Sequence, residues 1–162
     1  MILGAADATD REMVLSRVFR APRALVFRIW TDPAHVARWW GIEGADNPVC
    51  ELDVRPGGHW RIEMRTASGK TYPNRGTYLE VIPDTRLVYS DLPDPGIAEW
   101  GADVPPPRLH TVTFEDEGDE TRVTLRVRLG SAADKARMLE FGMDRGLAQG
   151  LDRLERLLAA LA

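Results

Sequence analysis

The sequence predicts a single α+β domain in which an antiparallel sheet of about seven strands is covered by a long C-terminal helix. Strand-like segments separated by turn residues run from residue 49 to residue 129, and an apolar stripe of helical period then follows to the C-terminus. The chain has 162 residues, 44% of them hydrophobic, which is enough for one core. We expect a flexible N-terminus at residues 1–12 and one domain at residues 13–162.

The first part of the domain is predicted to be one strand followed by two short helices. Apolar and arginine residues alternate imperfectly over residues 13–20, as in a strand with one solvated face. Pro22 suits the first turn of a helix, and apolar residues then follow at helical spacing to Trp30. Asp32 followed by Pro33 is typical of an N-cap and the first position of a helix, and predicts where the second helix begins.

The middle of the chain is typical of an antiparallel meander. Turn sequences such as Pro56-Gly57-Gly58 separate the apolar segments. Residues 121–129 alternate most clearly, with valine and leucine on one face and threonine and arginine on the other, so one side of the sheet is expected to be covered. We predict strands at residues 49–54, 59–66, 71–82, 86–91, 109–115 and 121–129.

The last part of the chain is predicted to be one long helix. Ser131 and Asp134 form a capping-box-like start, and leucines then recur every three or four residues. Gly142, Gly146 and Gly150 lie four residues apart, although each interior glycine costs about 1 kcal/mol relative to alanine. Either this flank leaves room for a ligand, or the helix approaches the sheet closely.

The segment at residues 92–108 is expected to be a loop. Its five prolines oppose regular structure, yet it carries Trp100. Long loops in compact domains are often lids or binding loops. This loop is therefore a candidate gate for a binding site.

Composition excludes several classes of function. The net charge of -4 and the absence of a basic stripe argue against nucleic-acid binding. Cys50 is the only cysteine, and no Cys or His cluster has metal-ligand spacing, so neither metal nor cofactor is predicted. Neither a signal peptide nor a membrane-spanning run is apparent, and we expect a cytoplasmic protein.

Motifs spread over nearly the whole domain resemble one family, the bacterial homologues of the heat-shock-protein-90 ATPase activator. That family lies within the START-like (SRPBCC) superfamily, which includes polyketide cyclases and Bet v 1-like plant ligand-binding proteins. The matching pieces are Arg20-Ala21-Pro22, Val26-Phe27, Trp30, Asp32-Pro33, Trp39-Trp40, Arg55-Pro56-Gly57-Gly58, Trp60, Gly76-Thr77-Tyr78-Leu79-Glu80-Val81, Arg86-Leu87-Val88-Tyr89, Gly142-Met143, Gly146, Gln149 and Leu151-Asp152-Arg153-Leu154.

The resemblance implies a helix-grip fold, in which a curved antiparallel sheet wraps around a long C-terminal helix. Family members share a scaffold and not a reaction, and superfamily members hold lipids, steroids or polyketides between sheet and helix. The resemblance also suggests a partner, a chaperone of the heat-shock-protein-90 type. One departure is Leu147, where many relatives carry tryptophan after the glycine that matches Gly146.

Bulky and aromatic residues are the candidates for a binding cavity. Aromatic walls with a few polar tips are typical of sites for small apolar molecules, although ordinary core packing would also use such residues. The candidate ligand-binding residues are Trp40, Tyr78, Tyr89, Trp100, His110, Phe141, Met143 and Gly146.

Two residues are candidates for chemistry. His110 shares strand parity with Val112 and Phe114, so its ring should point inward. Glu80 shares parity with Tyr78 and would face the same side. No third group is evident to orient the histidine, and the ordinary reading is a hydrogen-bonded histidine at the core or pocket rim.

Three functions therefore remain open. The first is a non-enzymatic domain that holds a small apolar ligand and has the proline-rich loop as its gate. The second is a protein-interaction module that modulates a chaperone ATPase, with docking on the arginine face of residues 122–128. The third is a cyclase- or hydrolase-type enzyme that uses His110 and Glu80 as acid and base. A monomer and a homodimer are both compatible with the sequence.

Overall fold

A seven-stranded antiparallel sheet forms the body of the molecule, with the strands in the order β1-β7-β6-β5-β4-β3-β2. The structure is a computed structural model that describes residues 10–92 and 105–161. The strands are β1 (Glu12–Phe19), β2 (Asp46–Leu52), β3 (His59–Arg65), β4 (Thr71–Ile82), β5 (Arg86–Asp91), β6 (Arg108–Glu117) and β7 (Glu120–Arg128).

Helices occupy the two places that the sequence predicts. Two short helices connect β1 to β2, and the C-terminal helical region follows β7. These helices are α1 (Arg23–Thr31), α2 (Pro33–Trp39), α3 (Ala132–Phe141) and α4 (Met143–Leu161). The predicted α+β helix-grip fold is thus confirmed.

The C-terminal helix differs from the prediction because it is broken at Gly142. Gly142 adopts a φ of 97°, a left-handed conformation that ends α3, and its N–H donates to the carbonyls of Met138 and Leu139. A residue with a Cβ atom rarely adopts this conformation, which explains the glycine. The prediction of one continuous helix through Gly142 was wrong.

One face of the sheet carries the core. Along β6 and β7, His110, Val112 and Phe114 and then Val123, Leu125 and Val127 are buried, as the period-two pattern predicts. Leu154 of α4 is fully buried against this core. One contiguous cluster joins residues of strands and helices alike. The helices therefore cover the face that the sequence marks as apolar.

A close approach between strands positions Trp60. Trp60 lies opposite Gly76 of β4, and its indole Nε1 donates a 3.0 Å hydrogen bond to the Ser90 carbonyl on β5. A Cβ atom at Gly76 would overlap that carbonyl and lie 2.6 Å from Trp60 Nε1. The glycine therefore allows the indole to cross β4 and fixes it to the next strand.

A register shift between Tyr78 and Glu80 alters the direction of the side chains in β4. An extra residue in one strand breaks the alternation of faces beyond it. Tyr78 is buried, whereas Glu80 forms a 2.8 Å ion pair with Arg86 and its side chain is 44% exposed. Glu80 therefore does not face the same side as Tyr78, and the prediction that it points inward was wrong.

Candidate functional site

A cavity of about 410 Å³ lies between the inner face of the sheet, the end of α2 and the helices α3 and α4. Its walls are mostly apolar and aromatic. Residues on the sheet side include Trp60, Ile62, Tyr78, Tyr89 and Leu125. Those on the helical side include Trp39, Trp40, Met138, Phe141, Met143, Gly146, Leu147 and Gly150.

Tyr89 is the centre of the aromatic wall. Its ring packs edge-on against Trp60 at 5.8 Å and against Tyr78 at 6.0 Å between centroids. On its other side it stacks on His110, with the centroids 4.8 Å apart and the planes at 12°. Because β5 pairs in register with β6, Tyr89 and His110 are direct cross-strand neighbours. The sheet thus provides a preformed aromatic surface.

A buried polar cluster interrupts the apolar lining at the ends of β5 and β6. Arg108 Nη2 donates to Asp91 Oδ2 at 2.7 Å, and the two side chains are 8% and 3% exposed. His110 Nε2 lies 3.4 Å from the same carboxylate oxygen without forming a hydrogen bond, and its side chain is 6% exposed. All three residues line the cavity. We call them the polar cluster.

The polar cluster has no net charge at neutral pH. Burial opposes ionisation of Asp91, but the charge of Arg108 and the contact with His110 outweigh it and lower the pKa of the carboxyl. Burial also lowers the pKa of His110, despite the opposing effect of Asp91. The cluster therefore consists of one cation, one anion and a neutral imidazole.

The loop after α2 is held against α4 by Arg153. Its guanidinium donates four hydrogen bonds of 2.8 to 3.1 Å to backbone carbonyls of the loop region, those of Arg38, Trp40, Ile42 and Ala45. A planar guanidinium can serve several acceptors at once, which an ammonium group does less well. Arg153 thereby fixes the part of the wall that contains Trp40, Gly41 and Ile42.

Gly146 and Gly150 face this loop and not the sheet. A Cβ atom at Gly146 would lie 3.5 Å from Ile42 Cγ2, and one at Gly150 would lie 3.6 Å from the Gly41 carbonyl oxygen. Both distances are ordinary van der Waals contacts, so packing does not require glycine at either position. Both glycines line the cavity. The glycines therefore fit the prediction that this flank leaves room for a ligand better than the prediction that the helix approaches the sheet closely.

A family model matches residues 20–159 of the chain, and its description is "Activator of Hsp90 ATPase homolog 1-like protein". The chain belongs to this family. The resemblance found in the sequence is thus confirmed, and the family lies within the SRPBCC superfamily of generally ligand-binding domains. No curated protein matches significantly.

Solved structures of bacterial proteins share the fold of this family member. A Nitrosomonas europaea protein has a TM-score of 0.81 and 24% identity, and the match covers 93% of this chain and 96% of that one. A Mycobacterium smegmatis protein has a TM-score of 0.83 and 22% identity, and the match covers 96% of each chain. A Rhizobium leguminosarum protein is 28% identical with a TM-score of 0.71, over 92% of this chain and 94% of that one.

In this family member, most candidate binding residues predicted from the sequence lie around the cavity. Trp100, and most of the loop predicted to be a gate, fall outside the described residues. Glu80 is not part of the cavity wall, so Glu80 and His110 are not brought together as an acid and a base. The candidates at the wall are Trp40, Tyr78, Tyr89, His110, Phe141, Met143 and Gly146.

Sequence reasoning missed the residues that accompany His110. Asp91 and Arg108 stand at the two ends of the proline-rich segment, seventeen positions apart, and become direct partners because β5 pairs with β6. No third group that orients the histidine was evident from the sequence, whereas the structure places Asp91 Oδ2 3.4 Å from His110 Nε2. The available signal was strand parity, since Arg108 is two residues before the inward-facing His110.

The arginine face of β7 is partly neutralised by neighbouring carboxylates. Arg122 forms a 2.8 Å ion pair with Glu117, and Arg126 lies 3.7 Å from Glu12. Both arginines are solvent-exposed, so each pair contributes little to stability. They reduce the positive potential that a docking surface for an acidic partner would need.

Within the described ranges, no helix is both long and apolar enough to span a membrane.

Proposed function

We propose that this protein is a binding domain for a small apolar molecule, which it holds in the cavity between the sheet and α4. The observation that carries the proposal is the 410 Å³ cavity with an apolar, aromatic lining and one buried polar cluster. Ligand sites are typically concave spaces of roughly 300 to 1,000 Å³ with apolar walls and a few placed polar groups. A lipid, steroid or polyketide-like compound has the matching chemistry.

A binding role fits the site better than acid and base catalysis by His110 and Glu80. The ion pair between Glu80 and Arg86 turns that carboxylate away from the cavity wall. The neighbour of His110 is Asp91, whose Oδ2 already accepts from Arg108 at 2.7 Å. Neither carboxylate is therefore placed as a free acid or base, and the polar cluster is better explained as a group of side chains that recognises a ligand.

The test is native mass spectrometry of the purified protein, followed by thermal-shift and tryptophan-fluorescence titration with lipids, steroids and aromatic polyketides. A ligand that binds only the folded state at a hundredfold excess over its Kd stabilises the protein by about 2.7 kcal/mol. We expect at least one of these compounds to raise the melting temperature and to change the fluorescence of Trp40 or Trp60.

A variant that fills the cavity separates binding there from adsorption elsewhere. Gly146→Leu adds a branched side chain to the cavity wall beside Ile42, and Ala160→Leu changes an exposed position on the same helix. We expect Gly146→Leu to weaken binding and Ala160→Leu to leave it unchanged. Equal binding by both variants, or no binding of any compound to the unaltered protein, would contradict the proposal.

The family description favours a second candidate, modulation of a chaperone ATPase. Its test is ATP turnover by an Hsp90-type chaperone at saturating concentrations of this protein. An increase that is lost when Arg122, Arg126 and Arg128 are changed together to glutamine would support docking on the arginine face. Unchanged turnover would count against this candidate and would leave the first one untouched.

A further inference from the structure

The polar cluster contains several polar atoms with no partner in the described protein. Those without a hydrogen bond are Asp91 Oδ1, Arg108 Nε and both ring nitrogens of His110, of which Nε2 lies 3.4 Å from Asp91 Oδ2. An unsatisfied buried polar group destabilises the folded state, and such groups are few in native proteins. Four of them on three cavity-lining side chains, each more than nine-tenths buried, indicate that something else satisfies them.

The unpartnered atoms differ in hydrogen-bonding character. Asp91 Oδ1 is an acceptor, Arg108 Nε carries a donor hydrogen, and a neutral imidazole offers one of each. A ligand group that only accepts, such as a carboxylate, leaves Asp91 Oδ1 unpaired. A group that only donates, such as an ammonium, leaves Arg108 Nε unpaired. A hydroxyl group both donates and accepts, so it can pair with both.

The charge balance of the polar cluster also favours an uncharged ligand group such as a hydroxyl. Asp91 already neutralises Arg108 through the 2.7 Å contact of Oδ2 with Nη2. A ligand with a formal charge would bring an uncompensated charge into a buried, mostly apolar site, and the desolvation of that charge opposes binding. An uncharged ligand avoids that cost.

On the basis of the proposed function, we infer that the ligand is a neutral aromatic or alicyclic alcohol or phenol, whose hydroxyl group binds the polar cluster while its ring system packs on the aromatic wall. Tyr89 connects the two regions, because it stacks on His110 and contacts Trp60 and Tyr78. A hydroxyl-bearing ring at the cluster would thus lie beside flat aromatic faces, where offset stacking stabilises it.

Four naphthalenes with different substituents at the same ring position test this inference. The substituents are hydroxymethyl, ethyl, carboxylate and aminomethyl, and Kd is measured by tryptophan fluorescence and calorimetry at neutral pH. The ethyl compound matches the alcohol in shape. We expect the alcohol to bind about tenfold more tightly than the ethyl compound, the effect of one or two net hydrogen bonds, and more tightly than either charged compound.

His110→Phe and Asp91→Asn test the role of the cluster itself. His110→Phe keeps an aromatic ring beside Tyr89 but removes both ring nitrogens, so the preference for the alcohol over the ethyl compound should shrink severalfold. Asp91→Asn leaves the Arg108 charge without a counterion, so the carboxylate compound should gain affinity relative to the alcohol. Ala160→Leu, at an exposed position of α4 outside the cavity wall, should preserve the order of the four probes.

The outcomes distinguish this inference from the proposed function. If the ethyl compound and the alcohol bind equally well, the apolar cavity binds ligands but the inference about the hydroxyl group is wrong. A preference of the unaltered protein for the carboxylate or the ammonium compound also overturns it. If none of the four probes binds while a lipid, steroid or polyketide does, the inference fails and the proposed binding function stands. Should Asp91→Asn not fold, His110→Phe and the four probes still decide the question.

Discussion

At the scale of single residues, the polar cluster is the feature that sets this site apart from an ordinary core. The carboxylate of Asp91 and the guanidinium of Arg108 are almost fully buried, whereas pairs such as Arg17 with Asp152 lie at the surface. Desolvation makes a buried charge dependent on its partner, while water compensates for the loss of an exposed one. Loss of one partner is therefore expected to destabilise the protein much more in the buried pair than in the surface pair.

Asp91→Asn is expected to lower the free energy of unfolding by about 3–5 kcal/mol, because it leaves the charge of Arg108 buried without a partner. Urea denaturation measures the change. The control is Asp152→Asn, whose 2.6 Å contact with Arg17 is half exposed and should contribute less than about 1 kcal/mol. If both variants lose less than about 1 kcal/mol of unfolding free energy, the charge of Arg108 does not depend on Asp91 as its buried partner.

His110 is expected to make stability depend on pH. Burial lowers the pKa of His110 below 6.5, so on acidification the unfolded chain takes up a proton that the folded chain does not. The free energy of unfolding therefore falls as the pH is lowered from about 7 to about 5. Denaturation over a pH series measures this slope, which His110→Phe should reduce. His59→Phe alters an exposed ring and should keep the slope of the unaltered protein.

At the scale of elements, the break between α3 and α4 and the loop after α2 shape the helical wall of the cavity. Gly142 ends α3 in a left-handed conformation, so the chain turns before α4 begins at Met143. Arg153 then ties α4 to the loop through backbone carbonyls. The two glycines inside α4, Gly146 and Gly150, lie where this loop passes. Helix and loop together thus define the wall opposite the sheet.

Alanine substitutions at the three glycines are expected to have opposite effects. Gly146→Ala and Gly150→Ala should each raise the free energy of unfolding by about 0.5–1 kcal/mol, because an alanine Cβ meets only ordinary contacts there and favours the helix. Gly142→Ala should lower it, because the φ of 97° strains any residue with a Cβ atom. Thermal and urea denaturation measure all three. Destabilisation by both α4 variants would contradict the explanation offered for the bare flank.

At the scale of the whole molecule, the helices and the sheet share one core. Buried residues of β1, of β3 to β7 and of α1 to α4 belong to a single contiguous cluster, which includes Phe19, Val26, Phe114 and Leu154. Some of the side chains that line the cavity also belong to this cluster, such as Trp60, Tyr78 and Leu151. Part of the cavity wall is therefore part of the core.

Unfolding is consequently expected to be a single cooperative transition. Tryptophans in α1, α2 and β3 report on the helical and sheet sides, while far-ultraviolet circular dichroism reports on the whole backbone. Coincident urea transitions by the two methods are the usual sign of two-state behaviour in domains of about this size. Separate midpoints would indicate that the sheet and the helical layer unfold independently.

Local patterns in the sequence determined the elements of this protein. Alternation along residues 121–129 determined which face of β7 is buried, and the Asp32-Pro33 signal marked where α2 begins. Strand β4 was predicted with the bounds that the structure has, residues 71–82, and so was β5, residues 86–91. These features depend on residues close together in the chain, so the sequence shows them directly.

Only the tertiary structure decided what meets at the cavity. The β5 and β6 register brings Asp91 to Arg108, the irregularity in β4 turns Glu80 toward Arg86, and the left-handed Gly142 divides the C-terminal helix. Each depends on pairing or on a local backbone conformation that periodicity does not encode. The sequence alone therefore determined the family and most of the elements, and the packing of those elements determined the chemistry of the site.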